Sequence, residues 1–154
     1  MGANWADPTY DTAGNMISMP EPDWKTPSSS FDLKYDAWNR LINVKQGSDV
    51  ATMQYDGLGR RITKHVPYPS WETYHYYYNE QWQLLEERKE VSGTEDPDPL
   101  NQYLWHPYYV DALAVRWYDS STAGSQTAYY YLQDANYNLT AIANASGAVV
   151  ERGH

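Results

Sequence analysis

Acidic residues, or asparagine in their place, recur in this chain of 154 residues directly ahead of short turn-like stretches. The segments read YDTAGNM from Tyr10, YDAWNRL from Tyr35, YDGLGRR from Tyr55, YNEQWQL from Tyr78 and QDANYNL from Gln133. Carboxylates can serve as general acids or bases, but a short Asx side chain also accepts hydrogen bonds from backbone N–H groups just ahead of it. We predict the second role, turn formation without catalysis, for Asp11, Asp36, Asp56, Asn79 and Asp134.

The residue three positions after the aspartate supports the turn hypothesis. Gly14, Asn39 and Gly59 occupy that position in the first three segments. Glycine and asparagine are the residues that reach a left-handed backbone at little cost, and hairpin turns often need one. Each segment is therefore predicted to be the turn of a β-hairpin of about 20 to 25 residues.

Other groups that could do chemistry are scattered. The nearest paired carboxylates are Glu86 and Glu87, but neighbours on a strand point to opposite faces and cannot flank one glycosidic bond. His65, His75, His106 and His154 lack the close spacing of metal-binding pairs. The chain has no cysteine, which excludes disulfides and thiolate metal sites. We therefore predict no catalytic residue, metal or cofactor, and a glycoside hydrolase with carboxylates from different hairpins remains the weakest hypothesis.

Aromatic residues are the most unusual feature, with 16 tyrosines and 7 tryptophans. In the run TYHYYY, His75 and Tyr77 share the strand face opposite the other tyrosines, and Tyr130 opposes Tyr129 and Tyr131. These rings are predicted chiefly to form cross-strand ladders, worth about 0.2–1 kcal/mol per pair. Rings left outside the ladders could instead stack on sugars. For that glycan hypothesis the candidate residues are Trp71, Tyr77, Trp82, Trp105, Tyr109, Trp117 and Tyr130.

The elements that position these side chains are predicted to be strands. Phe31, Leu33 and Tyr35 alternate with Asp32 and Lys34 ahead of the second turn, which is the pattern of a half-buried strand. Tyrosine and tryptophan also favour strands. The expected fold is all-β, with repeated antiparallel β-hairpins forming a curled, open sheet.

The net charge of −9 argues against nucleic-acid binding, which needs a basic surface. No apolar run approaches the roughly 18 residues of a membrane-spanning helix, so membrane insertion is not expected.

Composition divides the chain into four predicted regions. Residues 1–30 comprise a partial repeat and a proline- and serine-rich arm, with 18–30 expected to be loop. Residues 31–89 hold hairpin repeats, in which ETYHYYYNEQWQLLEERKE is predicted to be strand, turn and strand. Residues 90–101 form an acidic, proline-containing surface loop, and residues 102–154 hold further hairpins, with a loop at 120–126 and a turn at 144–147.

The repeats resemble a known family. YDAWNRLINV, YDGLGRRITKHV and YLWHPYYVDALAVRWYDS followed by YYYLQDANYNLTAIANASGAVVER are similar to Rhs/YD-repeat proteins, and the last segment is similar to the Rhs repeat-associated core. The resemblance covers most of residues 31–152. It implies a sheet of repeated hairpins that, in large members, forms a shell around a toxin in bacterial secreted or cell-surface proteins. This sequence shows neither the autocleavage motif nor a toxin domain, so the resemblance does not extend those activities to it.

The resemblance and the pattern together favour a non-enzymatic structural or interaction module. A repeat array exposes unpaired strands at its ends, so we expect self-association through sheet edges and aromatic surface. The partners would be other copies in a homo-oligomer or neighbouring repeats of a longer parent. A carbohydrate-binding module is the alternative, with a glycan as partner.

Overall fold

The computed structural model describes residues 7–21, 29–67, 71–109, 111–119 and 125–153. These residues form strands, turns and loops without a helix, which confirms the all-β prediction. None of their segments could cross a membrane as a helix. The chain divides into two compact units, residues 1–73 and residues 74–154. His154 lies outside the described residues.

The first unit is a run of antiparallel hairpins. Its strands are β1 (Thr9–Tyr10), β2 (Met16–Pro20), β3 (Ser30–Tyr35), β4 (Leu41–Gln46), β5 (Ser48–Tyr55) and β6 (Arg61–Val66). Each strand pairs with the one before it in sequence. Strand β7 (Glu72–Tyr78) follows β6 in the sheet and continues into the second unit.

The second unit continues the pattern with one side branch. Its further strands are β8 (Leu84–Val91), β9 (Thr94–Glu95), β10 (Asn101–Trp105), β11 (Leu113–Asp119), β12 (Gln126–Gln133), β13 (Leu139–Asn144) and β14 (Val149–Arg152). The sheet is open, and its order is sequential from β1 to β14 except that β9 pairs only with β8. The strand–turn–strand prediction around Asn79 and the turn at 144–147 are both confirmed.

Two predicted loops contain strand. The loop prediction for residues 18–30 is wrong at its ends, because Ser18, Met19 and Pro20 pair with the beginning of β3. The Glu21 N–H also bonds the Ser29 carbonyl at 3.0 Å, while residues 22–28 lie outside the described part. Proline at the end of a strand is tolerated where its missing N–H faces no partner.

The acidic loop at 90–101 is likewise partly strand. Glu90 and Val91 pair with Glu95 and Thr94 in a tight hairpin. Its turn residues, Ser92 and Gly93, have φ of 53° and 79°. The loop prediction was wrong here because its acidic composition suggested only solvent exposure. The predicted loop at 120–126 ends in strand too, since Gln126 begins β12, and its residues 120–124 are outside the described part.

The hydrophobic core is thin. The buried apolar side chains are Leu33, Ala51 and Met53 in the first unit and Tyr76, Ala112 and Ala143 in the second. Few side chains of the described residues are covered completely, so hydrogen bonds between neighbouring hairpins are expected to contribute to the stability.

Candidate functional site

One turn geometry recurs along the chain. At Asp36 the backbone N–H donates to the Arg40 carbonyl at 3.0 Å, and the Asn39 N–H donates to the Asp36 carbonyl at 3.1 Å. The carboxylate oxygen Oδ1 accepts from the N–H groups of Trp38 and Arg40 at 2.9 and 3.0 Å. The same four bonds are made at Asp11, Asp56, Asn79, Asp134 and Asn144.

The structure thus places all five predicted turn residues in this turn. Asn144 is a sixth member that the sequence comparison did not assign to the repeat. Its signal was present, because Gly147 follows it by three positions as Gly14 follows Asp11. In each residue the side-chain oxygen Oδ1 accepts from two backbone N–H groups, which leaves it poorly suited to acid–base chemistry.

The left-handed residue is not always glycine or asparagine. Gly14, Asn39 and Gly59 have φ of 89°, 61° and 89°, as predicted. Trp82 and Tyr137 occupy the same position with φ of 68° and 62°. A bulky side chain in this region costs about 1–2 kcal/mol, so the turn hydrogen bonds hold these two aromatic residues in a strained backbone.

The turn carboxylates are stabilised in their charged form. The Asn138 side-chain amide donates to Asp134 at 3.0 Å, and this bond, with backbone donors, lowers the pKa of Asp134. Partial desolvation raises the pKa of Asp36, but the backbone and guanidinium hydrogen bonds from Arg40 outweigh it, so the pKa is lowered overall.

A second repeated contact joins neighbouring hairpins. The side chain of the residue just before the turn or loop donates a hydrogen bond to a backbone carbonyl of the preceding hairpin. That carbonyl belongs to the first residue of the hairpin's second strand. Tyr55 Oη donates to the Leu41 carbonyl at 2.7 Å. Trp105 Nε1 and Gln133 Nε2 donate in the same way to the Leu84 and Leu113 carbonyls, at 2.7 and 3.1 Å.

This contact explains the residue type that precedes the turn. The strand register shifts at Tyr55 and Gln133, where a β-bulge interrupts the ladder. A long side chain with a polar tip can reach across to a carbonyl of the preceding hairpin. At Tyr55, Trp105 and Gln133 this position supplies a hydrogen-bond donor.

Arg40 strengthens the link between two hairpins of the first unit. Its guanidinium bonds the Asp36 carboxylate at 2.7 Å and the Asp56 carbonyl at 3.1 Å. It also lies 4.9 Å from the centre of the Tyr55 ring and 5.1 Å from that of Trp38, within the range of a cation–π contact.

The seven residues of the glycan hypothesis lie on several elements, one in the first unit and six in the second. Trp71 is exposed in the first unit, with its ring 6.1 Å from His65. Trp82 and Tyr109 are exposed at turns or loops of the second unit, and Trp105 is half-buried with its indole N–H bonded to a carbonyl.

The remaining three glycan candidates share one face of the second unit. The register pairs Trp117 with Ala128 and Val115 with Tyr130. Side chains of paired residues share a face, and so do those of alternate residues, so Trp117 and Tyr130 point the same way. Gln102, paired with Trp117, bonds Glu86 at 2.9 Å, and this places the Tyr77 cluster described next on the same face.

Tyr77 is the centre of a polar cluster. Its hydroxyl donates to the two Glu95 carboxylate oxygens at 2.7 and 2.6 Å, and the Arg88 guanidinium lies 5.7 Å from its ring centre. Arg88 bonds Glu86 at 2.8 Å, while His75 lies between Glu90 and Glu95 at 3.4 and 3.8 Å. The hydrogen bond to Glu95 raises the pKa of Tyr77, which favours a hydrogen-bond donor over a nucleophile.

The cluster contains a residue that sequence reasoning missed. Glu95 lies in the segment predicted to be an acidic surface loop, and only the pairing of β9 with β8 brings it beside Tyr77. In the sequence Glu95 is one of several acidic residues, next to Asp96 and close to Asp98, and no local feature distinguishes it from them.

Glu86 and Glu87 point to opposite faces, as predicted. Glu86 accepts from Gln102 at 2.9 Å, whereas Glu87 accepts from Asn101 at 2.6 Å and from the Tyr103 hydroxyl at 3.0 Å. The hydrogen bond from Gln102 lowers the pKa of Glu86. Burial, together with the Glu87 charge, raises the pKa of Tyr103 well above its usual range. The two carboxylates cannot act on one bond.

Tyr109 and Tyr137 form a close, stacked aromatic contact. Their ring centres lie 3.7 Å apart with the planes inclined by 8°. His106 packs edge-on against Tyr137, with the ring centres 5.8 Å apart. The two tyrosines come from separate hairpins, and sequence spacing of 28 residues gave no indication that they meet.

No group of side chains in the described part of the chain is arranged to hold a metal ion. Comparison with models of known families finds no match to this chain, and no curated protein is significantly similar to it.

Proposed function

We propose that the chain is a non-enzymatic structural and interaction module, a segment of an Rhs/YD-repeat-type shell at the cell surface or in a secreted protein. It extends a β-sheet by pairing its edge strand with another copy or with neighbouring repeats of a longer parent. The observation that carries the proposal is the turn with its four shared hydrogen bonds, made at six positions. Such an array grows by adding hairpins, so its natural contact is the next strand.

The last strand supports pairing at that edge. β14 pairs with β13 on one side, and no described strand lies along its other side. All four of its residues are exposed, including Val149 and Val150. An exposed apolar edge strand is a template for another strand.

The proposal is tested by multi-angle light scattering of wild type and Val150→Lys over a micromolar concentration series. A lysine on an edge strand opposes strand addition, so we expect the wild type to associate and the variant to shift toward monomer. Leu58→Lys is the matched control, since Leu58 is exposed in the turn between β5 and β6 and is not part of an edge strand. A wild type that stays monomeric, or equal effects of both substitutions, would contradict edge pairing.

Carbohydrate binding is the second candidate function. It is favoured by the shared face of Tyr77, Trp117 and Tyr130, on which Tyr77 and Tyr130 are exposed and Glu95 is bonded to Tyr77. Flat rings beside polar groups are suited to stacking on a sugar. A glycan array tests this function: Tyr130→Ala should lose any signal that Trp71→Ala retains, and the absence of binding to every glycan would eliminate it.

A further inference from the structure

The stacked pair Tyr109–Tyr137 has the geometry of a cross-linking site. We propose that these two tyrosines are joined as dityrosine when the protein meets a one-electron oxidant, such as a haem peroxidase with hydrogen peroxide. The parallel rings are 3.7 Å apart at their centres, which brings ring carbons of the two residues into van der Waals contact.

Both partners are held in place by their own loops. The Tyr137 N–H bonds the Asp134 carbonyl at 3.0 Å, and the flanking N–H groups bond the Asp134 carboxylate. On the other side, the His106 N–H bonds the Ala112 carbonyl at 2.8 Å and closes the loop that carries Tyr109. Reactive groups that are already positioned gain a large effective concentration over an intermolecular encounter.

Both rings are also accessible to an oxidant. Tyr109 is 45% exposed and Tyr137 is 39% exposed, and neither hydroxyl is hydrogen-bonded to a described residue. This distinguishes them from Tyr77, whose hydroxyl is bound by Glu95, and from Tyr103, which is bonded to Glu87.

The oxidative coupling of the two phenols needs no catalytic group from the protein. Each phenol loses one electron and one proton, and the two phenoxyl radicals form a carbon–carbon bond between ring positions ortho to oxygen. The hydrogen on each coupled carbon then moves to the oxygen and restores the aromatic rings. One molecule of peroxide accepts the two electrons and two protons and becomes two molecules of water.

The product would be a covalent link between two hairpins in a chain that contains no cysteine. It would join two residues that are 28 positions apart in the sequence. Like a disulfide, such a link stabilises a fold by restricting the unfolded chain.

The experiment treats dilute full-length protein with a haem peroxidase and hydrogen peroxide, then measures dityrosine fluorescence and maps cross-linked peptides by mass spectrometry. We expect the monomer band to lose two hydrogen atoms and to yield one dominant Tyr109–Tyr137 peptide pair. Tyr137→Phe and Tyr109→Phe should each reduce the monomer fluorescence to background. Tyr108→Phe is the matched control, since Tyr108 is 91% exposed and adjacent, and it should leave the yield unchanged.

Fluorescence that persists in Tyr137→Phe, or cross-links spread over many exposed tyrosines, would overturn the proposal. A photo-oxidised ruthenium complex with persulfate provides a second, smaller oxidant, so poor access of the peroxidase cannot account for a negative result. Circular dichroism of both phenylalanine variants verifies that the fold is retained, because phenylalanine keeps the stacked ring.

Discussion

Replacing Tyr55 with phenylalanine removes one oxygen from the contact between two hairpins. The ring stays on Arg40, so the cation–π contact and the packing are kept. What is lost is the 2.7 Å hydrogen bond to the Leu41 carbonyl, in a half-buried position. A net hydrogen bond is worth about 1 kcal/mol, and an acceptor left without a partner costs about 1–3 kcal/mol. Since Leu41 retains some access to water, we expect Tyr55→Phe to lower the free energy of unfolding by about 1–2 kcal/mol.

Urea unfolding, followed by circular dichroism, measures this loss. In thermal unfolding, a chain of this size should show a midpoint temperature lower by about 2–8 °C. Tyr130→Phe is the control, because its hydroxyl is exposed and bonds no described residue, and it should change stability by less than about 0.5 kcal/mol. If Tyr55→Phe is as stable as wild type, or if Tyr130→Phe is equally destabilised, the carbonyl contact does not hold neighbouring hairpins together.

Three further predictions test the turns and the last strand. Asp134→Asn should retain the turn, as Asn79 does, but lose acid sensitivity. The lowered pKa of Asp134 supplies stability at pH values above the ordinary aspartate pKa near 3.8, and this stability is lost as pH falls through the folded-state pKa. The stability difference between wild type and variant, measured by urea unfolding, should therefore change only below about pH 4. Gly59→Ala should destabilise by about 1 kcal/mol because φ is positive, whereas Gly57→Ala, without positive φ and with open space, should not; thermal unfolding compares the two. Gly153→Ala places a Cβ 2.6 Å from the Leu139 carbonyl oxygen, so amide exchange in β14 should accelerate, and unchanged protection would contradict the close approach.

Short-range chemistry made the hairpin turns predictable. An Asx side-chain oxygen accepts from N–H groups within the next four residues, and glycine or asparagine allows a positive φ three positions after the Asx. Both signals therefore lie within one short segment of sequence. Strand alternation around Leu33 identified the strands for the same reason. The loop predictions at Ser18 and Glu95 were wrong because they were based on composition alone. A polar residue joins a strand only when a partner strand is present to pair with it.

The candidate sites depend on contacts that local patterns do not encode. The sequence indicated that Tyr77 and Tyr130 would face outward, and both are exposed. It did not indicate that Glu95 would bind Tyr77, that Tyr55 would donate to a carbonyl of the preceding hairpin, or that Tyr109 would stack on Tyr137.

The repeating hairpins, the turn residues and the all-β class are predictable from the amino-acid order, because each follows from hydrogen bonds and alternation within a few residues. Which side chains meet across hairpins depends on strand register, bulges and the side branch at β9, because these set the distances between residues far apart in sequence. Tyr55 and Asp56 illustrate the local contact and the contact between hairpins in one Tyr–Asp pair. The aspartate builds its own turn, and the tyrosine finds its partner only when the preceding hairpin is in place.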